Sequence, residues 1–179
     1  MPATPAVDDL GWLNDAVLGA HLPIAAQAAL ERAGAAWHDD VEAEHWLDLA
    51  TACAPEHPAV FVARYRFYFY KHRLAKARAV AERCLEQTAR RMSIPVDWRE
   101  LGACPEVFPQ AAANDYTALP RFYLFTLKAL AYLHMRLGEF VPATDMLGVI
   151  SLLDPLDRLG ARLLVEVLAR HERGDDEDA

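Results

Sequence analysis

The sequence predicts an all-α protein, an array of roughly seven helices packed as helix–turn–helix pairs and interrupted by one Pro-rich insertion. Three observations point there. Residues 127–157 carry two apolar runs at the helical period, with Leu137-Gly138-Glu139 between them and Asp154-Pro155 closing the second. Glycine is held to 8 residues in 179 while alanine recurs throughout, which lowers the cost of helix. The one segment that alternates like a strand, Arg64 to Tyr70, has no second segment to pair with. It is read as helix, a frame that places Phe61, Tyr65 and Tyr68 on one face.

The elements follow in order. A helix near Trp12–Leu18 is expected to cap the N-terminal end. Residues 24–57 form a first, degenerate helix pair around the turn His38-Asp39-Asp40. Residues 58–91 form a second, with Pro58 at its helix start. Residues 92–120 contain four prolines and break the helical period; Trp98, Val107, Phe108 and Tyr116 are expected to anchor this insertion. Residues 121–157 form the third pair. Gly138 ends its first helix by supplying positive φ, and Ala131 and Ala143 sit where the helices touch. A capping helix is expected over 157–173, with Asp157 at its N-cap, before a disordered acidic tail at 174–179.

Composition narrows the class. Apolar residues make up 54% and charged residues 25%, so residues 1–173 are expected to be one globular domain. No run approaches the roughly 20 apolar residues of a membrane span. The first residues lack the basic and apolar regions of a secretory signal, so a cytoplasmic location without membrane contact is expected. Cys53, Cys84 and Cys104 lack CxxC spacing; Cys84 is expected to be packed and Cys104 exposed.

The net charge of −8 hides an asymmetry. Residues 1–57 hold ten acids and one base, residues 58–136 thirteen bases and six acids, residues 137–179 four bases and ten acids. The acidic flanks would repel phosphates, so a nucleic-acid partner is not expected, whereas the basic middle suits an acidic peptide. Pairing of the middle with the flanks is the alternative.

The helix pairs resemble the tetratricopeptide repeat (TPR), a helix–turn–helix unit of about 34 residues. The likeness rests on Leu130, Ala131, Gly138, Phe140, Ala143 and Pro155 in one pair. Phe61, Tyr68, Leu74, Ala77, Ala81 and Cys84 carry it in another, and Leu30, Ala43, Leu47, Ala50 and Pro55 in the degenerate one. Tyr65, His72 and His134 depart from it, standing where the family has a small residue, a turn glycine and an aromatic. The resemblance implies a short right-handed solenoid whose concave face holds other proteins and rarely carries chemistry. It further implies an inner face of Val62, Arg66, Phe69 and Tyr70 in one pair. In the other pair that face is Phe125, Lys128, Tyr132, Met135 and Arg136. Such a basic and aromatic set would clamp an acidic or amphipathic segment of a partner, unless the insertion fills it. The family's clamps for chaperone tails use asparagines where Ala63, Arg66, Ala129 and Tyr132 stand, so that ligand is not expected. His57–Glu86 together with Arg121–Lys128 is also similar to bacterial TPR proteins of nitrogen-fixation gene clusters, implying an accessory role in enzyme assembly or regulation.

The expected function is therefore a non-catalytic adaptor or assembly factor, with no cofactor and with homodimerisation open. No Gly-rich phosphate loop, Gly-x-Ser-x-Gly elbow or HExxH motif is present; His57 reads as structural and His72 as solvent-exposed at a turn. Three alternatives remain: a TPR-type secretion chaperone, a self-assembling repeat, and a metal-delivery protein using His38, Glu42 and His45.

Overall fold

The computed structural model describes residues 21–109 and 118–177, and those residues form eight α-helices, one 3-10 turn and no strand. The helix expected near Trp12–Leu18 lies outside them. The chain divides into two compact units, residues 1–72 and 73–179.

In the first unit, α1 (Ile24–Ala35) folds back on α2 (Asp40–Cys53), and both pack on α3 (Pro58–Tyr70). The α1–α2 seam is built of small side chains: Ala26, Ala29, Ala33, Ala43 and Ala50 are buried, with Leu47 between them. Alanine allows the axes to approach toward the short end of the usual range of about 8–10 Å. Asp39 starts α2 by accepting the N–H groups of Val41 and Glu42, each at 3.0 Å. His57 starts α3 in the same way, its Nδ1 accepting the Ala59 N–H at 3.2 Å. The strand-like run is helical because Phe67 and Tyr68 are buried together with Val60 and Phe61, which only the helical period allows. His72 takes φ 56° where glycine would be unstrained.

The second unit contains α4 (Leu74–Met92), α5 (Trp98–Ala103), α6 (Ala118–Arg136), α7 (Phe140–Leu153) and α8 (Arg162–Glu177). α6 is central: it packs on α4 and on α7, while α5 and α8 each pack on α7. It buries Phe122, Tyr123, Leu124, Leu127, Leu130, Ala131 and Leu133, each large side chain stabilising the unit by about 1.5–3 kcal/mol. Ala77, Ala81, Cys84, Leu85, Thr88 and Ala89 are the buried residues of α4. Ala131 and Ala143 are fully buried at the α6–α7 pair, and Gly138 turns the chain at φ 76°.

Residues 92–109 are more structured than a Pro-rich insertion suggests. Ser93 ends α4 at φ 56°, Asp97 caps α5 by accepting the Arg99 N–H, and Pro105–Val107 make the 3-10 turn. Trp98, Leu101 and Phe108 are buried, Val107 is exposed, and Tyr116 lies outside the described residues. α5 sits so close on α7 that a Cβ on Gly102 would stand 3.1 Å from Val149 Cγ2. α6 already begins at Ala118.

The last helix begins at Arg162, five residues after the expected cap. Asp157 lies at φ 52° and Gly160 at φ 63°, which bends residues 154–160 into a turn. Asp157 still caps, its Oδ1 accepting the N–H groups of Ala161 and Arg162. The buried Asp154 accepts the Leu159 N–H at 2.9 Å. α8 continues to Glu177, into the segment expected as an acidic tail, of which residues 178–179 lie outside the described ones.

Candidate partner-binding faces

Of the expected inner-face residues, Val62, Arg66, Phe69 and Tyr70 lie on α3 in the first unit. The others lie on α6 in the second, so the two sets are described separately.

On α3, Arg66 and Tyr70 are exposed, and Val62 and Phe69 half-buried. Tyr65, one helical turn before Phe69, stacks on it with centroids 5.7 Å apart and planes 13° apart. Tyr70 meets Trp37 edge-on at 6.3 Å. The cations around this face differ in what they hold. Arg64 reaches Asp48 at 2.6 Å, Thr51 Oγ1 at 3.0 Å and the Tyr68 hydroxyl at 3.1 Å. Lys71 pairs with Asp40 at 2.8 Å and stands 5.3 Å above the Trp37 ring. Arg66 makes neither an ion pair nor a hydrogen bond among the described residues.

On α6 the picture is different. Lys128 Nζ donates to the main-chain carbonyl of Leu159, in the turn that leads to α8. Its ammonium also stands 3.8 Å from where a Cβ of Gly160 would be, so the turn closes around it. Arg136 is exposed and donates to the Tyr132 hydroxyl at 3.3 Å, its guanidinium 5.9 Å from the ring centroid. Phe125, Tyr132 and Met135 are half-buried.

A charged cluster that the sequence did not announce lies at the α6–α7 turn. Arg78 of α4 donates to both carboxylate oxygens of Glu139 at 2.9 Å, and His134 Nδ1 stands 2.5 Å from Oε2. The hydrogen bonds from Arg78 and then His134 hold the Glu139 carboxyl below its ordinary value. His134 is buried, which explains its place where the TPR pattern has an aromatic: the ring fills the site and its nitrogen finds a carboxylate. No local motif marks this cluster, because Arg78 is 61 residues from Glu139.

The remaining chemistry-bearing groups are quiet. Burial pushes the Cys84 thiol up to about 12, so it stays protonated and unreactive; Cys53 is half-buried and Cys104 exposed. Burial, with a smaller contribution from Asp97, also raises Tyr123. His38 is exposed in its turn, Glu42 accepts the Trp46 indole N–H at 3.4 Å, and His45 lies edge-on to Trp46. Among the described residues no group of three or more His, Cys, Asp or Glu could hold a metal ion. No described helix is long and apolar enough to cross a membrane.

The chain matches no protein-family model and no solved structure. It is 40% identical over 163 residues to the "Uncharacterized 19.8 kDa protein in nifW 5'region" of Azotobacter chroococcum mcd 1. The match covers 91% of this chain and 90% of that protein. Identity of that extent over nearly the whole of both chains places this protein in the family of the Azotobacter 19.8 kDa nifW 5'-region protein.

Proposed function

We propose that this protein is a non-catalytic interaction module, an adaptor or accessory factor in a nitrogen-fixation related process. It works in the cytoplasm, without a cofactor, through TPR-like helix pairs. It captures an acidic or amphipathic segment of a partner protein. The nifW 5'-region relative supports the process, since that is the genomic position its description gives. The helix pairs α1–α2 and α6–α7, with Ala seams and a positive-φ Gly138, support the architecture.

The observation that carries the binding role is Arg66. It is exposed, has no partner among the described residues, and lies beside the stacked Tyr65 and Phe69 and the exposed Tyr70. A guanidinium left open on a helix that also carries aromatic side chains can take a carboxylate bidentately, and the rings can supply rigid apolar contact. Arg136 against Tyr132 offers the same chemistry on α6.

Affinity capture from host cells grown on dinitrogen tests this reading, comparing wild type with Arg66→Glu and Arg136→Glu by mass spectrometry. The reading predicts a partner that is lost from both variants while helicity and Tm stay unchanged. Undiminished capture by the double variant Arg66→Glu/Arg136→Glu rejects it.

A further inference from the structure

α8 lies on α7 with Ala161 and Leu168 buried and the His171 ring 4.3 Å from Phe140. Its outer side carries exposed apolar residues among its charges. Leu163 is 62% exposed and Val167, one turn on, 40%. At the end of the unit where α8 begins, Leu152 and Leu156 are also exposed, at 58% and 70%. Exposed apolar side chains at one end of a unit can seat a partner where charges around them fix its orientation.

The charges on α8 say what docks there. Glu166 and Arg170 stand four residues apart, a spacing at which such a pair commonly closes on itself. Here it stays open: among the described residues Arg170 Nε donates to the Glu166 main-chain carbonyl, at 3.4 Å, and the Glu166 carboxylate has no ion pair. Arg173 is likewise exposed. We propose that α8 pairs antiparallel with α8 of a second copy of this chain. A two-fold axis near the level of Val167 sets each Glu166 against Arg170 of the copy and lays Leu163 over the aliphatic stem of its Arg173. Parallel pairing would set Glu166 on Glu166 and Arg170 on Arg170, so the charge pattern selects the antiparallel form and repeats each attraction twice.

Sedimentation velocity on the full chain, over about 1–200 µM, tests this. Wild type is expected to dimerise with rising concentration. Glu166→Arg and Arg170→Glu should each weaken the dimer by about tenfold or more, since each puts two like-charge contacts at the axis. The double swap Glu166→Arg/Arg170→Glu should restore it, and Val167→Asp should leave monomer of unchanged helicity. A wild type that stays monomeric throughout overturns the proposal. So does a dimer indifferent to the single swaps, or a double swap no better than either single.

Discussion

Arg66 on α3 and Lys128 on α6 read alike in the sequence, as cations on the inner faces of two helix pairs. Their surroundings differ. Arg66 is exposed, with no polar partner among the described residues, whereas Lys128 is half-buried and spends its ammonium on the Leu159 carbonyl. The same division runs through the other cations: Arg64, Lys71 and Arg78 are held by Asp48, Asp40 and Glu139. A charge on a helix face is thus a binding group only where the fold has not already used it. Most of the basic middle of this chain is used.

That contrast can be broken by substitution. Lys128→Met should cost the most, about 1.5–3 kcal/mol in urea denaturation, because a carbonyl in the α7–α8 turn loses a charged donor. A loss under 0.5 kcal/mol would put Lys128 with Arg66 as a free group. Gly138→Ala should cost about 1–2 kcal/mol, since φ 76° admits a Cβ poorly even though no atom lies within 4 Å of it. Gly102→Ala should change stability by less than about 1 kcal/mol, because displacing the Val149 methyl offsets what alanine gains over glycine in a helix. Arg66→Gln should change stability by no more than about 0.5 kcal/mol.

The Glu139 cluster adds a pH signature. Its carboxyl is held below the ordinary 4.5 by Arg78 and His134. A depressed folded-state value means that the stabilisation is complete above about pH 4.5 and fades as pH falls through the lower folded value. The Tm difference between wild type and Glu139→Gln should therefore hold steady near neutrality and narrow in acid. A difference that widened in acid would contradict the ionised Glu139 placed between Arg78 and His134.

Much of the helical architecture was legible because it depends on periods of a few residues. The Leu137-Gly138-Glu139 turn, the contacts at Ala131 and Ala143, the burial of Cys84 and the helical reading of Arg64–Tyr70 all come from local pattern. Residues 92–120 were less legible. Trp98 and Phe108 are buried as the expected anchors, but the prolines mark only where helices stop, not that Trp98 and Leu101 sit on a short helix. The start of α8 was misplaced because Asp157 caps from a left-handed turn several residues before the helix. On the candidate faces, Arg66 and Arg136 were placed by the TPR resemblance, and both are exposed. The engagement of Lys128 was not legible, since Leu159 is 31 residues away and presents only a main-chain carbonyl.

The central claim is that Arg66 binds a partner while Lys128 holds the fold. Arg66→Glu and Lys128→Met, compared for Tm and for the proteins each captures from host cells growing on dinitrogen, test it most directly. Arg66→Glu should keep the wild-type Tm and lose the partner, while Lys128→Met should melt lower and, below its melting point, keep the partner. An Arg66→Glu protein that retains the partner, beside a Lys128→Met protein that loses it at unchanged Tm, would contradict the account.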